Sequence, residues 1–408
     1  MQTMSVLVPM ASEPVTIPMA KWLAVPLPFA QQNPLDDVTK AVGDALEQPI
    51  DFPAFRKALT PDDLIVIVVP PRLNQLWSVL QPLIEHIQSA QIGLDQIILL
   101  QPPLYEAAQR LWEEKVPSSL QGIQISTHNP KERAELAFLT STTAGKGIYL
   151  NRLLLDAGQV FVIGQMGFDP VFGFQGGLDQ LYPLFSHEQA WQDHQKKLSP
   201  TQIGSEHSQA AQEANEVGRL LGFPLFVQVF EGIGDQVWAI RAGLGDNIHE
   251  ESCRQWQRAA TVPIHRQADL VIAAIGKPAK QQSFHDISAA LANASRAVKH
   301  QGKMVVVSQA GGTISPGFNC LSKGESTVQA LAQARQQHAN DIIPLWQLVT
   351  AAEQGHLFFW TNYPTAMIEE MGLTPMQDKE ELQRLIDQAE SVMYLAEAER
   401  SLVELKSL

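Results

Sequence analysis

Cysteine is almost missing: the 408 residues hold two, Cys253 and Cys320, with no CxxC pair. That excludes a disulfide scaffold and a thiolate zinc site. Positive charge is also in short supply. Lys and Arg number 29 against 43 Asp and Glu, a formal net charge of −14, which argues against a nucleic-acid or anionic-membrane partner. No apolar run approaches the length needed to span a membrane. The apolar N-terminus has no basic segment before Lys21 and is interrupted by prolines, so it does not read as a secretion signal. The full GxGxxG of a dinucleotide fold is missing, and Gly311-Gly312 after a strand is only a fragment of it. Neither a solenoid repeat nor a low-complexity tract occurs. Together these absences lead to the expectation of a reduced, cytoplasmic protein.

What is present is an ordinary globular composition, 45% hydrophobic and 18% charged, ample for real cores in the two or three domains that the length suits. Apolar runs rich in β-branched residues alternate with amphipathic stretches. Strands are predicted at Lys21–Pro26, Leu64–Val69, Gln96–Leu100, Ile123–Ser126 and Gln159–Gly164, with helices at Val38–Leu46, Leu76–Ala90 and Ala107–Glu114. Farther on, the helix Ser205–Gly222 precedes a strand pair, Phe226–Phe230 and Gln236–Ala242, around a turn at Gly232–Asp235. A new unit opens near Val262–Ala268 with the strand Leu270–Ile275, and its last helix is predicted over Lys379–Leu395. The alternation predicts two Rossmann-like α/β domains with mostly parallel sheets, residues 1–265 and 266–408.

The most informative stretch is Ser141–His194. QVFVIG (Gln159–Gly164) reads as a buried strand, followed at once by Gly167, Gly173, Gly176 and Gly177 interleaved with Phe168, Phe172 and Phe174. In an open α/β sheet, ligands gather beyond the carboxyl end of such a strand, and glycine permits close backbone approach there. Arg72, just past the strand Leu64–Val69, is either a surface cation or an anion clamp at the same edge.

The order of these segments resembles the lactate racemase family, whose best-known member uses a nickel-pincer cofactor. ALEQPI (Ala45–Ile50), Arg72 after its strand, STTAGKGIYLNR, the GFQGG loop with YP beyond it, GFPLFVQVF, QADLVIAAIGKP and SPGF (Ser315–Phe318) carry the likeness over nearly the whole chain. The resemblance implies two α/β domains with the site in the cleft between them. It also implies isomerase chemistry: racemisation or epimerisation of a 2-hydroxy acid by transient hydride transfer to a pyridinium-derived nickel cofactor.

Carried over by position, the match is partial. Arg72 falls on the arginine that holds the substrate anion. Tyr105 and Asp169 stand where the family has two proton-shuttling histidines, and Asp179, beyond Gly176-Gly177, replaces the lysine that tethers the pincer. His194 falls on the nickel ligand. Phe284, His285 and Ser288 replace a tyrosine, a glutamine and a lysine, while Trp346 retains a site tryptophan. Tyr105 is a poor base near neutrality, Asp169 a base only if burial raises its pKa, and His285 a partial substitute for the lost lysine. A carboxylate cannot form the covalent link, so the expectation is either a nickel-pincer nucleotide held without a tether or no cofactor at all. Asp169, Asp179 and His194, with Asp193 or His187, are also weighed as a zinc or hard-metal site against a reading as solvated loop carboxylates. Two functions follow from the resemblance: an isomerase with altered catalytic residues, or a non-catalytic homologue, regulatory or binding a small 2-hydroxy acid or another small anion, that has lost nickel-pincer chemistry.

Overall fold

The computed structural model describes residues 2–103, 116–141, 145, 147–169, 173–195, 209–222, 224–323, 326–337 and 341–406. The chain divides into two compact units. The six-stranded unit comprises Asn33–Gly232 and Gln236–Trp256, and the five-stranded unit comprises Met1–Gln32, Ile233–Asp235 and Gln257–Leu408. The first 32 residues therefore group with the C-terminal part of the chain, where β1 (Thr3–Val6) and β2 (Val15–Pro18) form an antiparallel ribbon.

The six-stranded unit is built on β3 (Ile65–Val68), β4 (Ile97–Gln101), β5 (Gln124–Thr127), β8 (Gln159–Gln165), β11 (Leu225–Glu231) and β12 (Val237–Leu244). Their order is β12-β11-β8-β3-β4-β5, parallel throughout except for β12, which pairs antiparallel with β11. IVIV in β3 is buried at every position, as expected of a strand covered on both faces. Alternate residues Ile65, Ile67, Ile97, Leu99, Phe161, Ile163, Val227 and Val229 join one core, packed with α1 (Val38–Glu47) and α2 (Leu76–Gln88). Asp37 caps α1 by accepting a hydrogen bond from the Lys40 amide at 2.9 Å. Two ribbons complete the unit: β6 (Leu136–Ser141) with β7 (Gly147–Asn151), and β9 (Gly167–Asp169) with β10 (Gly173–Gln175).

In the five-stranded unit, β14 (Ala268–Ala274), β15 (Val298–Val307), β16 (His356–Trp360), β17 (Thr374–Pro375) and β18 (Val392–Leu395) run parallel in the order β17-β16-β15-β14-β18. β13 (Thr261–Ile264) pairs with β19 (Leu402–Leu405) beside it.

Two expectations need correction. The last helix ends at Gln388, and Val392–Leu395 is instead the edge strand β18. VMYL is β-favouring, and after the α-helix closes at Ala389 the chain is free to pair with β14. Lys21–Pro26 is not a strand; only Trp22 makes an isolated bridge, to Val392. The helix expected at Ala107–Glu114 lies outside the described residues. Among the described residues, no helix is long and apolar enough to cross a membrane.

Candidate functional site at the carboxyl edge of the six-stranded sheet

The chain leaves β3 for β4 on one side, while β8 lies on the other. Connections therefore diverge above the β3/β8 pair, which is where a parallel sheet opens a ligand crevice. Arg72 sits in the exposed loop between β3 and α2 at this point. The loop is anchored from below: Glu231 Oε1, at the end of β11, accepts from the Asn74 amide at 3.1 Å. Glu231 Oε2 accepts from Gln165 Nε2, at the end of β8, at 2.5 Å. A buried carboxylate bonded on both oxygens holds two strand ends and the loop after β3 in fixed relation.

On the opposite face of β8 lies the glycine loop. Gly176 has a φ of +96°, a conformation that favours glycine. Its carbonyl accepts from Gln228 Nε2 at 2.9 Å, which fixes the orientation of that amide. The same Gln228 nitrogen lies 3.1 Å from His249 Nδ1, so Nδ1 accepts and the ring proton resides on Nε2, 3.4 Å from Cys253 Sγ. His249 reaches in from α6 (Gly245–Ala260; α3 to α5 are Arg152–Asp156, Glu188–Gln195 and Gln209–Leu221). Its ring packs on Gly177, where a Cβ would come within 2.8 Å of Cε1. Phe168 and Trp256 meet Phe174 edge-on and close this side.

Asp179 is turned back into this loop. Its carboxylate accepts from the amides of Gly177 at 2.7 Å and Gly176 at 3.3 Å, and from Gln180 Nε2 at 2.5 Å. The residue is 8% exposed. Burial outweighs these hydrogen bonds and pushes the carboxyl up to about 6 from 3.8. A raised folded pKa means that the folded protein keeps a proton the unfolded chain has released. Stability from this group is thus complete below about pH 4 and lost as pH rises through 6. Asp179→Asn should flatten that decline, removing on the order of 3 kcal/mol of pH-dependent stability between pH 4 and 8. Urea unfolding of variant and wild type across this range measures it; parallel curves would contradict the assignment.

His194, at the end of α4, is 2% exposed. Its Nδ1 is 3.9 Å from Glu213 Oε2 on α5, and its ring meets Tyr182 edge-on at 6.0 Å. Tyr182 in turn donates to Glu213 Oε1 at 3.3 Å, and burial, with Glu213 next, pushes the phenol pKa up. His194 is therefore part of a His–Glu–Tyr cluster in which the histidine and tyrosine are buried and Glu213 is half-buried. Asp169 closes β9 opposite Gly173, and Tyr105 lies outside the described residues. His285 and Trp346 belong to the five-stranded unit, half-buried on α7 (Phe284–Ala297) and α9 (Ile342–Gln354; α8 is Thr327–Gln336), two helices that pack together. Phe284 and Ser288 are buried, Phe284 among Phe318, Phe359 and Tyr363. Among the described residues, no group of three or more His, Cys, Asp or Glu is placed to hold a metal ion.

Gln165, Gln228, Glu231, His249 and Glu213 are not among the candidates that the sequence marks. Gln228 and Glu231 did leave a signal: they are the polar interruptions in an otherwise apolar strand, LFVQVFE. Polar side chains buried in a central strand need partners, and here those partners are the two loops.

The nickel-pincer group that the resemblance implies is tested by these same residues. At Asp179, the position that the resemblance gives to the tethering lysine, there is a buried carboxylate already hydrogen-bonded to three donors in its own loop. The residues do not fit a covalently held pincer.

Residues 11–204 match the family model of the lactate racemase N-terminal domain. Among solved structures, the chain is similar to the lactate racemase apoprotein from Thermoanaerobacterium thermosaccharolyticum, with a TM-score of 0.82 at 14% identity over 98% of this chain and 100% of that one. It is also similar to a protein from Thermotoga maritima, with a TM-score of 0.68 at 13% identity over 92% and 100% of the two chains. No curated protein sequence matches it. Residues 11–204 thus carry the likeness to the lactate racemase N-terminal domain, and the chain shares its fold with the lactate racemase apoprotein along its length.

Proposed function

We propose that this lactate-racemase-like protein binds a small carboxylate, such as a 2-hydroxy acid, and does not carry out nickel-pincer racemisation. The observation that carries the reading is the Asp179 carboxylate closed onto Gly176 and Gly177, at the position where the family tethers its cofactor. Arg72 supplies the guanidinium for the ligand, at the switch point of the sheet and on a loop braced by Glu231. The buried setting of His194 against Glu213 and Tyr182 supports a structural role for a residue that would otherwise face a metal.

The test is to produce the protein in cells that make the cofactor, then measure intact mass, nickel content and thermal stability. The expected result is a bare chain without stoichiometric nickel. Lactate and related hydroxy acids should raise the melting temperature of wild type, with about 2.7 kcal/mol of stabilisation at a hundredfold excess over Kd. Arg72→Ala should abolish that response while melting normally without ligand. Bound nickel together with turnover of a hydroxy acid would replace this reading with that of an isomerase holding an untethered cofactor.

A further inference from the structure

The segment Ile233–Asp235 is held in the five-stranded unit by charge rather than by apolar burial. Ile233, its one large apolar side chain, is 41% exposed. Asp235, 2% exposed, pairs with Arg400 Nη2, and the Gly234 amide donates to Glu397 Oε1 at 3.3 Å. Behind these groups the turn is closed on itself, because the Gly232 amide donates to the Gln236 carbonyl at 2.9 Å. The three residues can therefore lift from their seat without breaking the pairing of β11 with β12.

The seat lies beyond the carboxyl ends of β14 and β18. The Ala398 amide donates to the Ala274 carbonyl of β14 at 3.0 Å, and its carbonyl accepts from Asn293 Nδ2 of α7 at 2.9 Å. Glu397 and Glu399, on either side of it, are thus fixed in place. Glu397 has a φ of +49° and Asp235 a φ of +61°, a region that non-glycine residues rarely adopt. The Glu397 carboxylate is pressed against Gly276, where a Cβ would collide with it. The Gly276 amide donates to Glu399 Oε2 at 3.2 Å. Glu397 Oε2 is buried without a hydrogen bond among the described residues, 3.5 Å from Arg400 Nε. Strained backbone on two segments therefore points carboxylates at one guanidinium.

Counting charges shows what a proton does here. With both glutamates protonated the seat is balanced, Asp235 against Arg400 and Asp286 of α7 against Lys277. Tyr394 of β18 adds no charge, since burial, with Glu397 next, pushes its phenol pKa up. Ionising Glu397 and Glu399 adds two negative charges with no further cation among the described ion pairs of the seat. Both then compete with Asp235 for Arg400, which Glu399 reaches at 3.3 Å, and both repel Asp235 across a buried space. The Gly234 amide gains a stronger acceptor in the same step, but that is one dipole against full charges. Repulsion wins. Burial favours the protonated form of each glutamate, with Lys277 opposing it.

We propose that this seat is a proton-gated catch for Ile233–Asp235, closed while Glu397 and Glu399 carry protons and open once they are ionised.

Amide hydrogen exchange on the full chain between pH 5.5 and 8.5, corrected for the intrinsic pH dependence of exchange, tests this in peptides covering the turn and β14. The closed form holds protons that the open form has released. The opening constant of the turn should therefore rise by up to about tenfold per pH unit until the glutamates ionise in the closed form. The turn should stay less protected than β14 throughout. Glu397→Gln and Glu399→Gln should each reduce that slope. Asp235→Asn should expose the turn already at pH 5.5, by about tenfold or more, the factor expected of a lost bond to a charged group. Where a variant does not fold, the wild-type profile decides. Protection of the turn that is flat across this range would overturn the proposal. Equal protection of turn and β14, lost together, would also overturn it, because the whole unit would then be unfolding.

Discussion

Glu399→Gln should raise the stability of the five-stranded unit at pH 8 and leave it nearly unchanged at pH 5. The reason is a charge imbalance at the carboxyl end of β14 and β18. Four carboxylates, Asp235, Asp286, Glu397 and Glu399, gather around two cations, Lys277 and Arg400. Arg400 makes its closest contact with Asp235, and reaches Glu399 at 3.3 Å and Glu397 at 3.5 Å. Lys277 is taken up by Asp286 at 2.8 Å. The remaining two carboxyls are buried together, with 6% and 2% of their side chains exposed. Burial pushes both pKa values above the carboxylate range, and for Glu399 the charge of Glu397 adds to it.

The sign follows from the direction of these shifts. Each acid titrates near 4.5 in the unfolded chain and higher in the folded one. Their contribution is therefore complete below that value and lost as pH rises through the raised one. A glutamine cannot titrate and escapes the loss, while its amide still offers an oxygen to the Gly276 amide, which now donates to Glu399 Oε2 at 3.2 Å. The expected gain at pH 8 is on the order of 3 kcal/mol, and roughly 6–12 °C in melting temperature for a unit of this size. Calorimetric melting at pH 5 and pH 8 decides. Equal destabilisation at both would mean that Glu399 is ionised and paired with Arg400 throughout.

How much of this was legible in the sequence differs from element to element. LIVIVV, QIILL, QVFVIG and LVIAAI announce buried parallel strands by β-branching alone, and they form β3, β4, β8 and β14. β18 was hidden because VMYL follows a helix without glycine or proline between, so helical periodicity ran on through it. The grouping of Ile233–Asp235 with the five-stranded unit was equally hidden, since a hairpin tip gives no hint of its neighbours. At the site, the resemblance picked out Asp179 and the residues pointed to a loop. What the carboxylate binds depends on the backbone path at Gly176, whose positive φ aligns two amides, and no side-chain pattern encodes that.

The tightest constraint on the glycine loop is Gly164, and Gly164→Ala should be among the most damaging single changes in the six-stranded unit. Gly164 pairs with Gln228 in the middle of the sheet. A methyl group there would collide with the Gly176 carbonyl carbon and oxygen, backbone atoms that cannot swing aside as a side chain would. The colliding oxygen is the acceptor for Gln228 Nε2, and the adjoining amides are the donors to Asp179. Shifting Gly176 therefore breaks the bonds on both sides of it and leaves a buried carboxylate and a buried amide short of partners. The expected cost is on the order of 2–4 kcal/mol, far above what one added methyl costs on a surface. Gly43→Ala is the internal control. That glycine lies inside α1 with open space where its Cβ would be. The same substitution there should stabilise by about 0.5–1 kcal/mol, since alanine is the better helix former. Guanidinium unfolding of the two variants side by side gives the comparison. If Gly164→Ala matched wild type, the loop would not be seated on the sheet, and the closure of Asp179 onto it would lose its support.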